Sequence, residues 1–124
     1  KQLLLEKTVI DNIRTYLDGK VSLCCITQDM LKGLGLEDSE TDGMTNVVRR
    51  LEGSVVSVTM RQLSDGTIRV SLRSECDFNV ADVAACFGGG GHVRAAGCSL
   101  DGEPAEAIER IVSVISEKWN KTEK

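Results

Sequence analysis

A chain of 124 residues, 41% hydrophobic and 27% charged, has the length and balance of one globular domain. Its net charge of −4 argues against a protein that coats nucleic acid through bulk positive charge. Five cysteines, none in a CxxC spacing, argue against a disulfide framework or a zinc site and point to a reducing, cytoplasmic compartment.

The chain starts at Lys1, not at Met, and so reads as either processed or a piece of a longer protein. Neither a membrane span nor a signal segment is visible. The charge is unevenly distributed. Residues 41–100 hold six Arg and six acids, and all basic residues between positions 33 and 117 are Arg. Arg carries a planar fork suited to phosphate or carboxylate.

Taken in chain order, Leu3, Leu4, Leu5, Val9, Ile10, Ile13 and Leu17 recur at helical spacing, with Gly19 as the stop. Val21 to Thr27 has the apolar run of a central strand, and Gln28 to Leu34 that of a short helix. After an acidic turn, Asp42 is a candidate N-cap for a helix whose stripe is Met44, Val47, Val48 and Leu51, ended by Gly53.

Residues 54–74 carry a hairpin signal. Val56, Val58 and Met60 alternate with Ser57, Thr59 and Arg61. Beyond the turn, Ile68, Val70 and Leu72 alternate with Arg69, Ser71 and Arg73. A two-residue turn would pair Met60 with Ser71, mixing apolar and polar faces. A three-residue loop, 64–66, pairs Met60 with Val70 and Val58 with Leu72, and puts Gly66 where a left-handed residue is needed. One face then carries Ser57, Thr59, Arg61, Arg69, Ser71 and Arg73. Arg61 opposes Arg69, an unfavourable pairing that an anion would relieve. A plain solvated face with splayed arginines is the competing reading.

Asn79 caps a short helix with Val80, Val83, Ala84 and Phe87 as its stripe. Gly88 to Gly91 stop it, and His92 to Leu100 returns as one strand. Pro104 suits the first turn of a last helix, with Ala107, Ile108, Ile111, Val112, Ile115 and Trp119 on its apolar side. The tail Asn120 to Lys124 is expected to fray. The order predicts an α/β fold, a small mixed β-sheet with helices packed on it.

The run Gly88-Gly89-Gly90-Gly91-His92 is the most unusual stretch. Four glycines let a backbone approach a ligand closely and can expose N–H groups to phosphate. No Lys-Ser/Thr follows, and a helix precedes, so neither a Walker loop nor a dinucleotide fingerprint applies. His92, the sole histidine, is a candidate donor to a phosphate oxygen. It cannot build a metal site alone, and nothing marks a cysteine as an activated nucleophile.

Three stretches together resemble the DHHA1 domain of DHH/DHHA1 (RecJ-like) phosphoesterases: Gly88 to His92 with Ala95-Ala96-Gly97, Val70 to Ser74, and Asp42 to Asn46 leading to Gly53. The likeness is nearest to the bacterial branch of bifunctional oligoribonucleases that also dephosphorylate 3′-phosphoadenosine 5′-phosphate (PAP). The resemblance implies a substrate-binding domain at 21–124, joined by a connecting helix at 1–20 to an N-terminal DHH domain. Manganese is expected in that missing domain, with no cofactor in this chain. Substrate-binding positions carried over are Ser71, Arg73, Ser74, Gly89, Gly90, Gly91, His92 and Arg94, the last standing where the family often has Lys.

The expected substrates are short oligoribonucleotides, dinucleotides or PAP. The expected partners are the nucleotide substrate and the DHH domain, with a homodimer left open and no membrane. The parent is expected to be a phosphoesterase, and this fragment alone inactive. A non-catalytic nucleic-acid-binding module and a structural or dimerising domain are the alternatives.

Overall fold

The computed structural model describes residues 2–41 and 54–123. Strands β1 (Arg14–Tyr16), β2 (Val21–Ile26), β3 (Val56–Gln62), β4 (Ile68–Ser74), β5 (Gly90–His92) and β6 (Ala95–Leu100) form one sheet in the order β1-β2-β3-β4-β6-β5. Strands β2 and β3 run parallel, and the other neighbours are antiparallel. Helices cover both faces, the layered α/β arrangement expected.

Helix α1 (Gln2–Asp11) puts Leu5 and Val9, one turn apart, into an apolar cluster with Cys24, Ile26, Leu31 and Leu36. It is shorter than the helix expected through Leu17. Arg14–Tyr16 instead forms strand β1, in register with Leu23 to Val21 of β2 (Val21–Ile26). The apolar spacing of Ile13 and Leu17 suits a helix, but the ladder to β2 wins. Leu17, Asp18 and Gly19 turn the chain back with positive φ of 53°, 56° and 84°, a conformation that no right-handed helix contains. The expected boundary at residue 20 therefore falls between two paired strands of one sheet.

All six residues of β2 are buried, as its apolar run predicts. Helix α2 (Gln28–Leu34) begins on Thr27, whose hydroxyl accepts from the Met30 N–H, and ends on Gly35 at φ 68°, a left-handed C-cap. A 3-10 turn follows at Asp38–Thr41. The helix expected from Asp42 to Gly53 lies outside the described residues.

Strands β3 (Val56–Gln62) and β4 (Ile68–Ser74) have the register derived from the alternation, with Met60 opposite Val70, Val58 opposite Leu72 and Arg61 opposite Arg69. Gly66 has φ 92°, and the Asp65 carboxylate accepts from the Thr67 N–H at 2.8 Å. Helix α3 (Val80–Ala85) starts on Asn79, whose side chain accepts from the N–H groups of Ala81 and Asp82.

The next segment departs from the single strand expected. Gly90–His92 is strand β5 and Ala95–Leu100 is strand β6, paired through a tight turn at Val93 and Arg94. The last two glycines of the tetrad thus belong to an edge strand, not to a free loop.

Helix α4 (Pro104–Glu123) continues where fraying was expected. Trp119 holds that end down, with its ring 5.2 Å from Phe78. Ala107, Ile111 and Ile115 bury against Val56, Val58, Met60 and Leu72 in the main core. Truncating Ile111 there to Ala should cost about 2–5 kcal/mol. Among the described residues no helix is long and apolar enough to cross a membrane.

Candidate functional site

The main core takes one side of each strand, so the alternate residues define the other face. Two cross-strand rows run over that face. The first passes from Thr15 through Ser22, Ser57, Arg73 and Ala95 to His92. The second passes from Cys24 through Thr59, Ser71 and Gly97 to Gly90. Side chains of directly paired residues share a face, so Arg73 and His92 stand on the same surface with only the Ala95 methyl between them.

Burial grades along these rows. Towards β2 and β3 the face is closed, with Ser22, Ser57 and Thr59 buried. Towards β4, β6 and β5 it opens: Ser71, Arg73 and Gly97 are half-buried, and Gly90 and His92 are exposed. Ser22 shares a short hydroxyl–hydroxyl hydrogen bond with Ser54. Thr59, only 2% exposed, has a buried Oγ1 with no hydrogen-bond partner among the described residues. Such an orphaned group carries a desolvation cost of about 1–3 kcal/mol.

The arginines differ in environment. Asp38 accepts from the Ser64 N–H at 3.0 Å and from Gln28 at 2.7 Å. These bonds, with the nearby positive charge of Arg61, hold its carboxyl below the ordinary carboxylate range. The repulsion between Arg61 and Arg69 is therefore met in part by an acid of the chain itself. The side chains of Arg69, Arg73 and His92 have no hydrogen bond or ion pair among the described residues.

The glycine tetrad divides by role. Gly88, at φ 79°, ends α3. A Cβ on Gly89 would lie 2.7 Å from the Cys98 Cβ, and one on Gly91 would lie 2.6 Å from the Ala95 carbonyl oxygen and the Ala96 Cα. Both press against β6, so packing already demands glycine there. A Cβ on Gly90 would meet nothing within 4 Å. Its bare backbone lies on the open polar face, and no contact within the protein calls for it.

Two expected site residues stand apart from this surface. Ser74 pairs with Val56 and so projects to the apolar side. It is 3% exposed, and its hydroxyl is 3.1 Å from the Cys76 carbonyl oxygen, to which it donates. Alternation decides this, because Ser74 is one residue out of phase with Arg73. Arg94 sits in the β5–β6 turn, with its guanidinium 3.6 Å from the exposed Asp77 carboxylate. An exposed pair of this kind is worth at most about 1 kcal/mol.

Nucleophilic chemistry has little support. Burial pushes the Cys24 thiol up to about 12 and the Cys25 thiol up to about 11, so both stay protonated. Among the described residues no group of three or more His, Cys, Asp or Glu could hold a metal ion. What the face gathers is hydrogen-bond donors and cations of the kind that suit an anion.

Sequence reasoning missed Thr59 as a buried orphan, Ala95 as the spacer between Arg73 and His92, and Asp38 as an acid close enough to feel the charge of Arg61. Alternation placed Thr59 on the polar face, but nothing in it showed that this end of the face is closed.

The family model of the DHHA1 domain matches residues 20–121. The bifunctional oligoribonuclease and PAP phosphatase NrnA of Thermus thermophilus is 36% identical over 94 residues, which cover 75% of this chain and 28% of that protein. An exopolyphosphatase-related protein from Bacteroides fragilis has the same fold, with a TM-score of 0.87 at 24% identity over 99% of this chain and 36% of that one. The pGpG-specific phosphodiesterase PggH from Vibrio cholerae gives a TM-score of 0.61 at 14% identity, covering 94% and 38%. This chain spans less than a third of the length of the curated relative. The chain belongs to the DHHA1 domain family.

Proposed function

We propose that this chain is the substrate-binding domain of a DHH-family phosphoesterase that acts on short oligoribonucleotides, dinucleotides or PAP. The observation that carries the reading is the pairing of Arg73 and His92 across Ala95. Two donors without acid partners face one way over a glycine-bare strip. A half-buried guanidinium with no counter-ion is costly unless a ligand supplies the charge. The relative NrnA is named for activity on oligoribonucleotides and PAP, both of which present phosphates.

In this proposal Arg73 and His92 hold a phosphate of the bound nucleotide, and Ser71 and Gly90 line the strip beside it. Hydrolysis, with the manganese that the family resemblance implies, belongs to a DHH domain outside this chain. The domain's task is positioning, which converts binding energy into alignment of the scissile bond. Five free cysteines fit a reducing, cytoplasmic setting.

A chemical-shift titration of the isotope-labelled chain with 5′-phosphorylated diadenylate tests the reading. Shifts centred on Ser71, Arg73 and Gly88 to Gly97 are expected. Shifts confined to other faces, or none at millimolar ligand, would overturn it.

A further inference from the structure

Strand β1 forms one edge of the sheet and pairs only with β2. The outer side of Arg14-Thr15-Tyr16 therefore leaves backbone N–H and C=O groups open. Edges of this kind are ordinarily blunted by Pro, Lys or a bulge, and β1 holds neither Pro nor Lys. Thr and Tyr suit a paired strand. Arg14 lies opposite Leu23 and Tyr16 opposite Val21, so both side chains stand on the side of the main core and helix α4. A groove runs between that helix and the strand. One part of it, about 520 Å³, is lined by Tyr16, Ile108, Val112, Glu109 and Glu117. A smaller part, about 220 Å³, meets it at Ile108 and is lined by Arg14, Leu23 and Cys25. The groove has an apolar floor, a cation at one end and acids at the other. Glu117 is held by Lys121. The exposed side chains of Arg14 and Glu109 have no hydrogen bond or ion pair among the described residues.

We infer that the β1 edge and this groove together dock a second copy of the chain. The surface is complementary to itself. A two-fold axis through Thr15 sets two β1 strands antiparallel, with Arg14 of each copy opposite Tyr16 of the other. Side chains directly opposed in such a pair share a face, with Cβ atoms about 4.5–5.5 Å apart. Each guanidinium then lies over the Tyr16 ring of the other copy. It also reaches the acid end of that copy's groove, where Glu109 supplies the counter-charge that each lacks alone. The symmetry makes this contact twice. Backbone bonds across the axis join the two sheets into one and remove both open edges. A ligand of a single charge would answer only one end of the groove, whereas a second copy answers both. Strand β5, which carries His92, is the opposite edge of the sheet, so the face proposed to hold a nucleotide stays open in both copies. The interface does not depend on that proposal.

Sedimentation equilibrium tests this. The wild-type chain should show twice its 13.4 kDa mass. Arg14→Glu and Glu109→Arg each set like charges together twice per dimer, and each should weaken self-association about tenfold or more. Mixed in equal amounts, the two variants should recover it, because each reversed charge then meets a reversed charge of opposite sign. A second variant reports the register directly. Thr15→Cys puts two sulfurs on the axis at a spacing suited to a disulfide, and mild oxidation should link it far beyond any link formed by the five native cysteines. A wild type that stays monomeric up to about 1 mM overturns the proposal and leaves the groove to a different partner. A dimer that neither charge reversal weakens, or folded variants that stay monomeric when mixed, overturn it as well. If Thr15→Cys links no better than the wild type, the β1 pairing is wrong whatever the charge variants do.

Discussion

Arg73 and His92 lie in one row across the sheet, two strands apart, with Ala95 paired to both. They approach this position from different parts of the chain, Arg73 on a central strand and His92 on an edge strand. The sheet fixes their spacing, and among the described residues neither side chain is engaged elsewhere.

Arg73→Ala should therefore weaken mononucleotide binding by about 1.5–3 kcal/mol, the range for hydrogen bonds to charged groups. His92→Ala should weaken it as well. If both hold one phosphate, the double variant should lose less than the sum of the single losses, a coupling that a double-mutant cycle reads directly. Unchanged affinity in both single variants would remove the site assignment.

Thr59→Val keeps the shape of the side chain and deletes an orphaned hydroxyl. Removing an unpaired buried polar group should stabilise the free protein by about 1–3 kcal/mol. The urea midpoint should rise at unchanged slope. A lower midpoint would mean that the hydroxyl is satisfied in solution by ordered water.

Burial holds the Cys24 and Cys25 thiols at about 12 and about 11, above the ordinary 9.0. Below pH 9 both the folded and the unfolded chain keep these protons, and their contribution to stability is complete. Above it the unfolded chain releases protons that the folded chain retains, so stability falls until the folded thiols titrate. Denaturation at about pH 8 and about pH 10 should show this fall in the wild type and a smaller one in a Cys24→Ala, Cys25→Ala variant. Equal losses in the two proteins would show that these thiols do not couple to folding.

Much of this was legible in the sequence where one periodicity had no rival. The β3–β4 register followed from alternation alone, because a one-residue slip would turn Val58 and Met60 out of the core. Asn79, Gly66 and Pro104 marked their turns and caps for local reasons that tertiary contacts left intact. Reading failed where two patterns competed. Ile13 and Leu17 fit the helix stripe that Leu5 and Val9 begin, and only the ladder to β2 decides against it. The glycine tetrad read as a loop because glycine carries no strand signal, whereas pairing with Ala95, Ala96 and Gly97 makes part of it a strand. The resemblance puts Ser74 beside Ser71 and Arg73, although its phase in the strand sets it on the other face.

The tetrad offers the sharpest separation of fold from function. Gly91, at φ 147°, backs onto Ala95 and Ala96 with no room for a methyl group. Gly91→Ala must therefore move β5 off β6 or strain the backbone, and should cost about 1–3 kcal/mol of stability. Gly90 meets nothing within 4 Å, so Gly90→Ala should leave the melting temperature nearly unchanged. Its methyl group would instead stand in the strip where the nucleotide lies, and affinity should fall. Thermal melting and ligand titration of the two variants separate the effects. If Gly90→Ala binds as the wild type does, the nucleotide does not cross the strip between Gly90 and Ser71, and Arg73 must hold its phosphate from another direction.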